Sequence, residues 1–176
     1  MIRTICTLFL LCLIALSARA QTEEEYILND IDNAMQKLQG VINTKNFGRT
    51  FDANLVRLKV NELTNEGTQC TYHKHVKRNG PAFSQSMEEE NYRYTFDLQA
   101  IKKEFSFVGD SKNMLMKVRL RTKGGIKAIK RENLFRPDET MMVDRVEIIF
   151  PYEMNEKTKL IQKERLKFIL KSAHEL

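Results

Sequence analysis

Apolar and polar residues alternate at period two through most of the chain, and near both ends the period lengthens to that of a helix. In "NYRYTFDLQAIKKEFSFVG", residues 91–109, Tyr92, Tyr94, Phe96, Leu98 and Ala100 fall at every second position, and Phe105 and Phe107 resume the alternation. Successive side chains of a strand leave on opposite faces, so such a row predicts a strand with one face on a core. The same signature recurs four times. Val56, Leu58 and Val60 oppose Arg57, Lys59 and Asn61; Cys70, Tyr72 and Val76 oppose Thr71, His73 and His75. Met114, Met116, Val118 and Leu120 oppose Lys117, Arg119 and Arg121, and Val146, Ile148 and Phe150 alternate up to Pro151.

Asn65-Glu66-Gly67, Asn79-Gly80-Pro81, Gly109-Asp110, Gly124-Gly125 and Arg136-Pro137-Asp138 punctuate these runs as turns, breaks or bulges. The stretches around Asn46-Phe47-Gly48 and through Glu88-Glu89-Glu90 read as loops, and Ile126 to Ile129 as a continuation of the sheet.

Over residues 22–43, Ile27, Ile31, Ala34, Met35, Leu38, Val41 and Ile42 recur at threes and fours, with Thr22 and Glu25 at capping-box spacing. From about Asn155 to Leu176, Leu166, Ile169, Leu170, Ala173 and Leu176 share one face while Lys159, Lys163, Lys167 and Lys171 step along by fours. Helix, strands, helix predicts an α+β domain. Its long curved antiparallel sheet, of about four to five strands, is expected to pack on an N-terminal and a C-terminal amphipathic helix.

The chain's first residues change the picture of where this domain works. One cation near the start, an apolar run from Ile5 to Leu16 and Ala18-Arg19-Ala20 before Gln21 have the form of a secretory signal peptide. The run is shorter than the roughly 20 apolar residues of a spanning helix. The expectation is therefore a signal over 1–20 and a single secreted domain over 21–176, a size able to bury its own core. Cys6 and Cys12 leave with the signal, so Cys70 remains without a partner in its own chain and no intrachain disulfide is expected. The formal charge of +6 falls to +4 when Arg3 and Arg19 leave. That mild excess, with no basic stripe interleaved with stacking aromatics, argues against a nucleic-acid partner. The final Ala173-His174-Glu175-Leu176 keeps only the last two positions of an endoplasmic-reticulum retention signal, so secretion is preferred.

Between Tyr94 and Leu134 the residues resemble a known family. Tyr94-x-Phe96-Asp97-Leu98, Phe105-x-Phe107-x-Gly109, the alternation from Met114 to Leu120, the Gly124-Gly125 step and Glu132-Asn133-Leu134 are similar to the insect takeout and juvenile-hormone-binding proteins and the mite group 7 allergens. The resemblance implies a strongly bent antiparallel sheet wrapped around a helix, with an apolar groove or tunnel for a lipid-like ligand. Two departures imply a reduced cavity. The amino-terminal cysteine pair of the longer takeout-type members is missing, and this chain is shorter than they are.

Candidate chemistry is sparse. No H-E-x-x-H, G-x-S-x-G, Walker loop or C-x-x-C occurs, so no enzyme and no cofactor are expected. His73-x-His75 has the spacing of half a metal site, but zinc takes three or four ligands and His174 is far along the chain, so no metal is expected. Glu88-Glu89-Glu90 lacks the spaced oxygens and the turn glycine of a calcium loop.

The apolar rows are core, wall of a ligand site, or both. As a wall the row would comprise Tyr94, Phe96, Leu98, Phe105, Phe107, Met114, Met116, Val118, Leu120, Val146, Ile148 and Phe150, with methionine suiting a permissive greasy partner. The expectation is a secreted, non-catalytic carrier of a small hydrophobic molecule or lipid. The alternative is a secreted interaction protein with a solid core, such as a cystatin-like inhibitor, an effector or a venom component, although the Gln-x-Val-x-Gly loop of cystatins is absent. Lys159, Lys163, Lys167 and Lys171 would add weak contact with an anionic membrane surface.

Overall fold

The computed structural model describes residues 23–51, 54–79, 87–110, 115–151 and 155–176. The expected signal over 1–20, Thr22, the Gly80-Pro81 break and Met114 lie outside these residues. The architecture is α+β, with two helices and nine strands among the described residues, and every strand pair is antiparallel.

Helix α1 covers residues 23–42 and presents Ile31, Met35, Leu38 and Ile42 to the interior at helical spacing. Four strands then meander: β1 (Thr44–Phe51), β2 (Asn54–Glu66), β3 (Gln69–Asn79) and β4 (Met87–Asp97). The chain next builds β5 (Ser106–Asp110) and β6 (Leu115–Arg121), and returns as β7 (Ile129–Asn133) and β8 (Met141–Val143). It closes with β9 (Arg145–Phe150) and α2 (Glu156–Ala173). The strands sort into a six-stranded sheet, β1-β2-β3-β4-β7-β8, and a three-stranded one, β5-β6-β9, where a single sheet of four to five was expected. An isolated bridge, Ile101 to Thr122, and the bonds Lys102 N–H to Arg121 O (2.8 Å) and Thr122 N–H to Asp144 O (2.9 Å) stitch the crossing points. There Gly124 and Gly125 take φ of 64° and 70°, a region that side chains with a Cβ avoid.

Four expectations are corrected. Residues 46–48 lie within β1: Asn46 takes φ 54°, which asparagine tolerates, and the chain continues in register opposite β2. Glu88, Glu89 and Glu90 belong to β4, since cations and a histidine on β3 offset their charge. Leu98 and Ala100 continue past the strand into a 3-10 turn, where the Asp97 carboxylate accepts from the Gln99 N–H at 2.9 Å. Ile126 precedes β7 and is exposed.

A β-bulge between Leu58 and Val60 reverses the phase of β2. Val56 and Leu58 are buried, but beyond the bulge Asn61 and Leu63 are the inward residues while Val60 is only half-buried. Hence Asn61, expected on the polar face, is fully buried.

Most of the buried apolar residues form one cluster holding side chains of α1, of both sheets and of Leu166, Ile169, Leu170 and Ala173 on α2. A smaller cluster joins Val56, Leu58, Val76 and Ile149. Between the two lies a fully paired polar clamp. The Tyr72 hydroxyl donates to Asn61 Oδ1 at 2.6 Å and accepts from the Ile149 N–H at 3.0 Å. The Asn61 amide donates to Ile42 O at 2.7 Å and to Ile149 O at 2.9 Å. Two side chains thus satisfy the outward backbone groups of a border strand and the last turn of α1. Asn43 adds a reciprocal pair with Leu63, donating to its O at 3.0 Å and accepting from its N–H at 2.8 Å. At the other end, Asn155 caps α2 by accepting from the Thr158 N–H at 2.8 Å, and His174 pairs through Nε2 with Ile101 O at 2.8 Å.

Candidate functional site

Eight of the proposed wall residues meet in the large cluster: Tyr94, Phe96, Leu98, Val118, Leu120, Val146, Ile148 and Phe150 are all buried there. Phe105, Phe107 and Met116 sit half-buried against its margin, while Met114 lies outside the described residues. Phe107 links the margin to the interior, its ring 5.9 Å from that of Phe105 and 5.9 Å from that of Phe150. On the facing sheet the Tyr72 and Tyr94 rings stack at 6.1 Å. The strand order brings these rows together from two sheets, which is why they lie far apart along the chain.

Cross-strand register shows what the apolar reading left out. Residues directly opposite in an antiparallel pair share a face. On β3 and β4 the inward pairs are Cys70 with Phe96, Tyr72 with Tyr94, Lys74 with Tyr92, Val76 with Glu90, and Arg78 with Glu88. This face is therefore wholly apolar from Cys70 to Tyr72, while beyond Tyr72 charged side chains alternate with the buried Val76 of the smaller cluster, and Glu88 is exposed. Lys74 lies between Tyr72 and Val76, both fully buried, and its side chain is only 13% exposed. It reaches Glu90 Oε2 at 2.7 Å, and Arg78 holds the other carboxylate oxygen. Burial pulls the Glu90 carboxyl up, but the two cations outweigh it and hold it down to about 2. Lys74 is also held below its ordinary value, because its deeper burial, with Arg78 and Lys117 adding repulsion, exceeds what the Glu90 carboxylate returns to it.

Tyr92 lies between two cations. Lys74 Nζ is 5.8 Å from its ring centroid and Arg131 Cζ is 5.0 Å away. Arg131 stands on β7 opposite Tyr94, so it projects to the same inner face. Burial pushes the Tyr94 hydroxyl up to about 12, and the neighbouring Arg131 opposes that shift. None of Lys74, Arg78, Glu90, Tyr92 or Arg131 was among the expected site residues. Continuing the aromatic row backward from Tyr94 through Tyr92 to Glu90, and filling the gap between Tyr72 and Val76 with Lys74, would have found three of them.

The other candidates have ordinary partners. His73 pairs with Asn91 Oδ1 at 2.9 Å and His75 with Glu89 Oε1 at 2.7 Å, both on the outer face. Among the described residues, no group of three or more His, Cys, Asp or Glu could hold a metal ion. Cys70 is buried, and burial, with Asp97 and Asp32 adding, pushes its thiol up to about 12.

On α2, Lys159 pairs with Glu156 at 3.5 Å, Lys167 with Glu164 at 2.7 Å and Lys171 with Glu175 at 3.7 Å, while Lys163 is exposed. Among the described residues, no helix is long and apolar enough to cross a membrane. Compared with family models, curated proteins and solved structures, the chain matches none of them.

Proposed function

We propose that the protein is a secreted, non-catalytic carrier that holds a small hydrophobic molecule or lipid tail in an apolar groove between its sheets and helices. The observation that carries this reading is the gathering of the apolar rows of two sheets into one cluster with a half-buried aromatic and methionine margin at Phe105, Phe107 and Met116. A margin of that kind lets a guest enter by rotating rings and a flexible thioether instead of breaking strand pairs. The inner face also carries charged side chains, Lys74, Arg78 and Glu90, beside its apolar rows, which suits a guest with a greasy end and a polar one.

Native mass spectrometry of the secreted protein tests the reading, together with displacement of a fluorescent apolar probe by fatty acids and terpenoids. A co-purifying small molecule, or displacement with a rise in Tm, is the expected result. Absence of all three overturns it and leaves the interaction-protein alternative, to be followed with protease-inhibition assays.

One further observation favours a membrane step in delivery. Beside the buried face of α2, Leu160, Ile161 and Phe168 form a second apolar row that is 58%, 46% and 44% exposed. Lys157, Lys163, Lys167 and Lys171 surround it in solvent, a pattern suited to lying on an anionic bilayer. The protein is expected to float with phosphatidylserine vesicles and not with phosphatidylcholine alone. Phe168→Ser should abolish flotation; flotation unaffected by that change overturns the docking face.

A further inference from the structure

Arg131 carries an unsatisfied donor on the inner face. Its Nε is buried and has no hydrogen-bond partner, while the guanidinium also hydrogen-bonds the Tyr94 side chain and its Nη2 lies 2.7 Å from the Met141 sulfur. Nε and Nη2 together form the side edge of the fork, the edge that takes a carboxylate with two parallel bonds. Arg119 shows the same edge satisfied by a carboxylate in this protein: its Nε and Nη2 converge on one oxygen, Glu147 Oε1, at 2.8 and 2.6 Å. Arg131 makes no such ion pair among the described residues. Nearby, Glu90 is already held by Lys74 and Arg78, and Glu139 by Arg136. Buried N–H groups are almost always paired, so the unpaired Arg131 Nε marks a place for an acceptor.

The position fits an amphiphile. Arg131 shares the inner face with Tyr94 and Tyr92, next to the apolar end of β3 and β4, and Lys74, paired with Glu90, also lies over the Tyr92 ring. Met141 lies on β8, the border strand of the six-stranded sheet, and is 46% exposed, so its flexible side chain can yield the guanidinium edge to an incoming head group.

We propose that the guest is a long-chain carboxylate whose head group binds the Nε–Nη2 edge of Arg131, displacing the Met141 sulfur, while its tail runs toward the apolar cluster. The assignment rests on the carrier reading and narrows it to an anionic class of ligand. A charge-assisted pair of bonds is worth about 1.5–3 kcal/mol, which corresponds to at least about tenfold in affinity.

The test titrates a fluorescent apolar probe off the full protein with palmitate and, separately, with cetyl alcohol, which has the same tail and no charge. The wild type is expected to favour the acid by about tenfold or more. Arg131→Gln should erase that preference while keeping the alcohol's affinity, and Arg131→Lys should restore part of it, keeping the charge without the fork. Equal affinity for acid and alcohol in the wild type, or a preference that survives Arg131→Gln, overturns the head-group site and leaves the carrier standing. Displacement by neither lipid overturns both. The wild-type comparison needs no variant, so a poorly folding Arg131→Gln cannot shield the proposal.

Discussion

From the Cys70–Phe96 pair to the Arg78–Glu88 pair, β3 and β4 keep one face turned inward, yet the two ends of that face are built on different physics. At the first end Cys70, Tyr72, Phe96 and Tyr94 are buried among apolar neighbours, and their stabilisation scales with the area removed from water. At the second, Lys74, Arg78 and Glu90 turn charges into the same layer, where each must be offset by a partner. Burial there is compensated by charge pairing, so Lys74, Arg78 and Glu90 depend on one another in a way the aromatic row does not.

The sharpest way to break this contrast is to empty the apolar end. Phe96→Ala removes a nearly fully buried ring and should destabilise the domain by about 3–5 kcal/mol, read as a fall in denaturant midpoint at unchanged m. Next comes the clamp that separates the two core clusters. Asn61→Ala leaves Ile42 O, Ile149 O and the Tyr72 hydroxyl short of partners and should cost about 3 kcal/mol. Tyr72→Phe, which leaves Asn61 Oδ1 and the Ile149 N–H unpaired, should cost about 2 kcal/mol by the same measurement.

The charged end should respond to acid and the apolar end should not. Glu90 has a folded pKa of about 2 against an ordinary 4.5, so the pair's contribution is complete above about pH 4.5 and is lost as pH falls toward 2. Because the side chain is about a third exposed, solvent screening limits this contribution to about 1–2 kcal/mol. Glu90→Gln should flatten that part of the Tm-versus-pH curve, leaving whatever slope the other carboxylates supply. An unchanged slope would mean that the inward charges are solvated and that the two ends do not differ as argued. The smallest effect is expected at the surface: Lys171→Ala, breaking a 3.7 Å pair with Glu175, should move stability by less than about 0.5 kcal/mol.

Periodicity made much of this fold legible. The rows through Tyr94, Val118 and Ile148 and the helical faces of Ile31 and Leu166 are inward because strand and helix geometry leave few other solutions. What escaped was set by pairing. A single extra residue near Lys59 carries Asn61 inward, and no local pattern announces a bulge whose partner strand is needed to define it. Glu88 to Glu90 look like a loop until β3 supplies Lys74, His75 and Arg78 beside them. Arg131 belongs to the candidate site only because β7 pairs with β4 after the chain has left to build the second sheet. The division into two sheets was likewise invisible to alternation, which reports a face but not which neighbours share it.

Cys70 carries a practical consequence. Alkylating reagents and oxidised glutathione react with the ionised form of a thiol, and burial withholds both ionisation and access here. Modification must therefore wait for the fold to open around it, so the rate at which iodoacetamide labels Cys70, read on its own peptide by mass, becomes an intrinsic clock for that opening with no engineered reporter.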